Sequence, residues 1–334
     1  MGARSSSLVD VAGVGDEEVA LMVVVGGWWV VWCGVVLSIV LKAGKSCLQN
    51  EVPTEAPVFG EYAKEFKAKD LLFNEYNIIE ETNYKYKEGA RSMTVSKAGI
   101  RRLLKEEAAF SSLLPLHPSS SVFVRVDENQ PAALQALVVG PAETPYAQGC
   151  FLFDILCENY PSKPPQVNLA TTGHGAVRFN PNLYNNGYVC LSLLGTWPGQ
   201  GKAELWNEKM SSLLQVFVSI QGLIMVEEPY YNEPGYVGSS NRGASMSYNK
   251  NIRFQTTKWA ILNQINHPPK GFEDVIKLHF ALQKDSILKQ TEKWMKEHGQ
   301  QGQSLLTEVK AALEKNIKGV SSSVSSSVSS SVSS

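Results

Sequence analysis

The sequence predicts an α+β fold, and three observations carry that expectation. Short apolar runs at Ser121 to Val126, Leu134 to Val139, Cys150 to Leu156 and Gln166 to Thr171 follow one another closely. Pro131, Gly140-Pro141, Pro145, Tyr160-Pro161 and Pro164-Pro165 punctuate the intervals, which suits a four-stranded antiparallel meander. Helical patterns flank these strands and do not alternate with them, so the sign of a parallel sheet is absent.

The 334 residues are enough for one catalytic domain with extensions, or at most two domains. A net charge of -1 implies no electrostatic commitment to nucleic acid or to anionic lipid. Cys33, Cys47, Cys150, Cys157 and Cys190 form neither an even disulfide framework nor a metal-binding spacing. Cys150 and Cys157 lie an odd number of positions apart along one strand, so they point to opposite faces and cannot pair. This usage fits a reducing compartment.

Residues 1–18 are small, polar and acidic. Residues 19–41 carry no charge, and at about 1.5 Å per helical residue they could cross a hydrocarbon core of roughly 30 Å. The run reads as one transmembrane helix, with a buried helix as the alternative. Lys42 and Lys45 follow it, which by the positive-inside rule puts the rest of the chain in the cytosol, anchored by residues 19–41. Residues 42–94 read as a linker containing a helix from Glu61 to Glu80, whose Tyr62, Phe66, Leu72, Phe73 and Tyr76 dock on the same chain or on a partner.

Ser96 can cap a helix running to about Leu113, with Ile100, Leu103, Leu104 and Ala108 inward and Arg101, Arg102 and Lys105 facing water. Beyond the strands, Ser211 to Val226 is apolar nearly all round and reads as a buried helix. Further helices are expected at Tyr248 to Ile265 and Phe272 to Glu297. Residues 319–334 repeat S-S-S-V, cannot bury a core and read as a disordered tail.

The chemistry is expected in the stretch from Arg178 to Trp197, R-F-N-P-N-L-Y-N-N-G-Y-V-C-L-S-L-L-G-T-W. Cys190 is a nucleophile if its thiolate fraction is raised or its target is already activated, and nothing near it in sequence suggests zinc. By itself, a cysteine beside Val189 and Leu191 is more often a small buried apolar residue. Its company points elsewhere. Gly140-Pro141, T-P-Y-A-Q-G-C-F-L-F-D, N-Y-P-S-K-P-P-Q-V and the Asn180-Pro181-Asn182 triplet stand in the order seen in the core domain of ubiquitin-conjugating enzymes. The stretch from about Val95 to Ile265 resembles that domain, most closely in its giant Bruce-like branch and next in the large ligase-independent conjugating enzymes.

That resemblance implies a UBC-like fold at residues 95–265, an extra helical extension at 266–318, and a two-step reaction. Cys190 would accept the carboxy-terminal glycine of ubiquitin as a thioester from the activating enzyme, and a substrate lysine would then attack it. No cofactor is implied, because ATP is used upstream. Asn182, which precedes Cys190 by the family's eight positions, implies either an oxyanion donor or a support for its own loop. Glu233, in E-E-P-Y-Y-N-E-P-G-Y, is the match for an acidic residue that orients the amine. Alone it would raise a lysine pKa, so desolvation against Tyr230 and Tyr231 would have to lower it.

Arg101, Arg102 and Lys105 match the basic first helix that meets the activating enzyme, or are a solvated face. Asn180 stands where the family usually has His, a departure expected to weaken a structural hydrogen bond. Ser162 replaces the apolar residue that many members offer to a RING-type ligase, and P-G-Q-G-K-A-E-L-W-N-E-K-M after Trp197 is an insertion absent from minimal members. Both features put ordinary RING partnership in doubt. The zinc pattern of a BIR domain is absent, so the apoptosis-inhibitor role of Bruce is not carried over. Two alternatives stay open: an inactive scaffold of the same fold, and conjugation of another ubiquitin-like modifier.

Overall fold

The computed structural model describes residues 21–25, 28–33, 36–40, 56–197, 205–236 and 240–330. The polar start at 1–18, the linker segment 41–55, the first half of the insertion after Trp197 and the last four residues of the tail lie outside them.

The apolar amino-terminal run is not a helix. It forms three strands, β1 (Leu21–Val25), β2 (Trp28–Cys33) and β3 (Val36–Val40), paired antiparallel in that order. Val, Ile and Trp dominate each segment and favour extended backbone, while Gly26-Gly27 and Gly34 interrupt the run in sequence. These strands stand where one transmembrane helix was expected over 19–41, and among the described residues no helix is long and apolar enough to cross a membrane.

The second unit, Glu55–Ser334, is described separately. Its sheet runs in the order β4-β5-β6-β7-β8. The expected meander consists of β5 (Val122–Asp127), β6 (Ala133–Val139), β7 (Cys150–Leu156) and β8 (Gln166–Leu169), all antiparallel neighbours. A fifth strand, β4 (Phe73–Tyr76), adds in parallel to β5 with Phe73 opposite Val124.

β4 corrects the expectation of one helix from Glu61 to Glu80. Helix α1 (Ala56–Ala68) ends early, Asp70 adopts φ 50°, and the chain turns into strand before the short α2 (Ile78–Glu81), which Asn77 caps. Aspartate tolerates this left-handed conformation, and the F-N-E-Y that follows alternates as a strand does. Tyr62 and Phe66 still dock on the same chain, both fully buried, with Phe66 against Phe123 at 4.8 Å.

After α3 (Lys87–Ser92), helix α4 (Lys97–Leu113) starts at Ser96, whose hydroxyl accepts from the Gly99 amide. Its inward face is rotated from the expected one. Gly99, Leu103, Glu107 and Phe110 are buried, whereas Leu104 is 53% exposed and Ala108 is exposed. The i, i+4 series from Gly99 wins because glycine lets the helix approach the Tyr160 carbonyl, which an added Cβ would meet at 2.7 Å.

Helix α5 (Leu213–Ser219) opens with a capping box between Ser212 and Gln215 and continues as a π-turn over Ile220–Ile224. It is the buried helix expected at Ser211 to Val226, and Gln221 donates to the carbonyls of Ser121 and Val139. Then come α6 (Arg242–Gln255), which runs through a π-turn into α7 (Asn263–Asn266), followed by α8 (Glu273–Leu282), α9 (Lys284–Met295) and α10 (Gly299–Ser330). The single helix expected at Phe272 to Glu297 is thus broken at Gln283.

Helix α10 also continues through most of the segment read as a disordered tail. Val320, Val324 and Val328 recur at a spacing near the helical repeat, a pattern the low complexity of the segment obscures. One apolar cluster joins the sheet, α4 and α5 to Phe280, Ile287, Leu306, Val309 and Leu313 of the last helices.

Candidate active site

Cys190 is carried by an irregular hairpin laid against β8. Tyr184 N–H donates to the Tyr188 carbonyl at 3.0 Å, Gly187 N–H to the Tyr184 carbonyl at 3.0 Å, and Cys190 N–H to the Asn182 carbonyl at 2.9 Å. Eight positions therefore bring Asn182 directly opposite Cys190. The turn requires Gly187: its φ is +89°, and an added Cβ would lie 2.1 Å from Asn168 Oδ1 and 2.7 Å from the Leu169 carbonyl. That close approach lets Leu169 N–H reach the Gly187 carbonyl at 2.8 Å, which binds the hairpin to the sheet edge.

Asn182 Nδ2 donates to the Cys190 carbonyl at 3.1 Å, so its amide is engaged with the loop. Its Oδ1 is buried without a partner. Beneath it, Asn180 is fully buried and keeps a complete set of bonds where a weakened one was expected. Its Oδ1 accepts from Asn182 N–H at 2.8 Å, and its Nδ2 donates to Tyr146 Oη at 3.0 Å and to the Ile224 carbonyl at 2.7 Å. Tyr146 Oη in turn donates to the Phe179 carbonyl. On the other side Thr196 Oγ1 donates to the Val189 carbonyl at 2.7 Å and accepts from Leu191 N–H at 2.9 Å. Cys190 is thus held rigidly from both flanks.

Cys190 as a residue is 5% exposed. Burial pushes its pKa above the ordinary value; the Tyr184 hydroxyl and then the Arg178 guanidinium pull it down, and the Glu233 carboxylate opposes them. Thiolate is therefore favoured only by Tyr184 and Arg178. Arg178 lies over the Tyr184 ring at 4.2 Å, pairs with Glu233 at 3.6 Å and donates to the Pro181 carbonyl at 2.6 Å. Glu233, between the short helical turns Pro229–Asn232 and Pro234–Tyr236, with Tyr230 stacked on Tyr236 at 4.5 Å, is thereby brought to the cysteine. Asn232 bridges back to the carbonyls of Leu223 and Ile224.

Reading the sequence missed Arg178, Tyr184 and Thr196. All three lie within the stretch that carries Cys190, but only the hairpin register shows that Tyr184 and Arg178 face the thiol. The basic residues of α4 separate: Arg101 and Lys105 are exposed, whereas Arg102 is not a free surface cation. It binds the Glu106 carboxylate and donates to the Ser211 carbonyl at 2.6 Å. Glu106 also accepts from Tyr160 Oη at 2.6 Å and from Leu213 N–H at 2.8 Å, so Arg102 belongs to the joint between α4 and the start of α5.

Ser162 is exposed, and beside it Trp206 of the insertion packs on Tyr160 at 5.5 Å and donates to the Pro161 carbonyl at 2.6 Å. Trp197 is half-buried at the end of its described segment.

Residues 102–258 match the ubiquitin-conjugating enzyme family. The chain is 47% identical over 243 residues to the human dual E2 ubiquitin-conjugating enzyme/E3 ubiquitin-protein ligase BIRC6, an alignment covering 68% of this chain and 5% of that protein. It is 46% identical over 200 residues to the probable ubiquitin-conjugating enzyme protein 17 of Caenorhabditis elegans, covering 58% of this chain and 27% of that one. A solved ubiquitin conjugating enzyme E2 domain of Toxoplasma gondii aligns with 48% of this chain and 98% of its own at 24% identity and a TM-score of 0.37.

Proposed function

We propose, because this chain carries a ubiquitin-conjugating enzyme domain, that Cys190 accepts ubiquitin as a thioester from the activating enzyme and passes it to lysine amines of protein substrates. The observation that supports this best is the reciprocal pairing of Asn182 with Cys190, which holds a cysteine beside Tyr184, Arg178 and Glu233. A structural cysteine needs no such surroundings.

In the first step the Cys190 sulfur attacks the activated carboxy-terminal carbonyl of ubiquitin, with Tyr184 and Arg178 favouring its thiolate. In the second, a lysine nitrogen attacks the thioester, and Asn182 supports the loop or donates to the developing oxyanion, with Glu233 orienting the amine. Arg101 and Lys105, both exposed, contact the activating enzyme in this reading; Arg102 acts through the α4 to α5 joint. The thiol chemistry calls for a reducing, ubiquitin-containing compartment such as the cytosol, and Cys150, Cys157 and Cys190 as free thiols agree with that.

We also infer that the domain can act without a RING-type ligase. Trp206 lies beside Ser162 on the loop a RING partner would meet, and the human relative's name joins both enzyme roles.

The test is a thioester assay on the full chain with activating enzyme, ATP and ubiquitin. A reductant-sensitive adduct forms with the native chain and is lost in Cys190→Ala. Absence of the adduct from a folded native chain, with a working control enzyme alongside, overturns the reading in favour of another modifier or a scaffold.

A further inference from the structure

A carboxylate beside the acceptor position poses a difficulty for aminolysis. The attacking lysine must be neutral, its unperturbed pKa is about 10.4, and a nearby negative charge stabilises the ammonium form. Glu233 alone would therefore hold the amine in its unreactive state. The groups around it resolve this.

Resting on the conjugating-enzyme reading, we propose that Arg178 is a positioning residue for aminolysis: it holds Glu233 and Tyr184 at Cys190 and offsets the carboxylate charge where the amine approaches. Its guanidinium reaches three elements of the site at once. It pairs with the Glu233 carboxylate at 3.6 Å, covers the Tyr184 ring at 4.2 Å and is fixed by the Pro181 carbonyl at 2.6 Å. Arg178 and Glu233 are each about two-fifths exposed, at 44% and 41%, so the pair can open to a substrate chain without leaving a buried charge unpaired.

Among the described residues, the titratable groups facing this pair come from three segments. Tyr184 and Cys190 come from the active-site hairpin, and Tyr248 comes from α6, where burial raises its pKa to about 12. Tyr230 contacts Tyr248 and stays neutral. Among the described residues acting on Cys190 and Tyr248, Arg178 is therefore the cation, and it opposes the carboxylate of Glu233.

In the step itself the lysine nitrogen forms a bond to the thioester carbonyl carbon, and the carbon–sulfur bond breaks. The Cys190 sulfur leaves with the electron pair, and one amine proton passes to water. A positive charge near the nitrogen favours the neutral amine before the attack, and near the sulfur it favours the departing thiolate. Arg178 is placed to do both, and its planar fork can hold a carboxylate while it sits over the Tyr184 ring.

The experiment uses the full chain charged with ubiquitin, chased with saturating free lysine, with kcat followed from about pH 6 to about pH 10. Arg178→Met is expected to load ubiquitin, to discharge about tenfold more slowly near pH 7, and to move the inflection upward by about one unit. Arg178→Lys keeps the charge without the fork and restores part of the neutral-pH rate. Glu233→Gln moves the inflection the opposite way, because the guanidinium is then uncompensated, and it decides the matter if Arg178→Met does not load. An unmoved inflection in these variants, whether or not the rate falls, overturns the proposal and leaves Arg178 a structural residue. A native chain that forms no adduct overturns the conjugating-enzyme reading, and the Arg178 proposal with it.

Discussion

Asn180 shows how one side chain organises a site. It is fully buried, and its amide joins the hairpin amide at Asn182, the Tyr146 hydroxyl and the end of the π-turn at Ile224. Removing it strands the Asn182 N–H, while the Tyr146 hydroxyl still donates to Phe179 and the Ile224 carbonyl still accepts from Val226 and Asn232, and a buried unsatisfied group costs about 1–3 kcal/mol. Asn180→Ala is therefore expected to lower stability by about 1–3 kcal/mol, measured by urea unfolding, and to loosen Asn182 so that lysine discharge slows while loading persists. A stability change indistinguishable from zero would mean that neighbouring groups re-pair freely. The same position illustrates a limit of reading by family pattern. The departure from His suggested a weaker link, yet a carboxamide offers both donor and acceptor and is fully used here.

Helix α4 carries the next level of consequence. Its inward face includes Glu107, whose carboxyl has a buried oxygen without a partner. Burial first, and then the carboxylates of Glu75 and Glu106, raise its pKa to about 7. A carboxyl raised in the folded state binds a proton there that the unfolded chain has released, so stability is lost as pH rises from the ordinary carboxyl value to about 7. Glu107→Gln is expected to remove that loss and to stabilise the protein at about pH 8 by about 1 kcal/mol after allowance for solvent screening, with little change at about pH 4. Thermal unfolding at the two pH values checks it; equal gains at both would assign the effect to packing. The rotation of this helix, with Leu104 outward and Glu107 inward, could not be read from apolar spacing, because both registers offer a similar stripe.

For the second unit as a whole, the contact to follow is the one joining its two ends. Tyr62 of α1 hydrogen-bonds His279 Nδ1 of α8 at 2.9 Å across 217 positions of sequence, and both are buried. Burial lowers the His279 pKa to about 4. A histidine depressed in the folded state costs nothing above its unfolded value and loses stability as pH falls from about 6.5 to about 4, by up to about 3 kcal/mol. This slope opposes that of Glu107 over much of the same window, so single substitutions separate them. His279→Gln is expected to flatten the acid branch of a stability–pH curve even where its baseline is lower. A curve parallel to that of the native chain would show that other groups carry the acid sensitivity.

The amino-acid sequence by itself determined the meander of β5 to β8, the Ser96 cap of α4, the buried helix at α5 and the stretch from Arg178 to Trp197 as the place to look for the site. Turn residues, alternation and fixed spacings encode these over short distances. Only the tertiary structure decided the strand at Phe73–Tyr76, the strands in place of an apolar amino-terminal helix, the face of α4, and the convergence of Arg178, Tyr184 and Glu233 on Cys190. Those outcomes depend on which neighbouring surface is available to bury a given side chain, and on contacts such as Arg178 with Glu233 that spacing along the chain does not express. Local pattern thus singled out Cys190, while the polar and charged groups that surround it were set by packing.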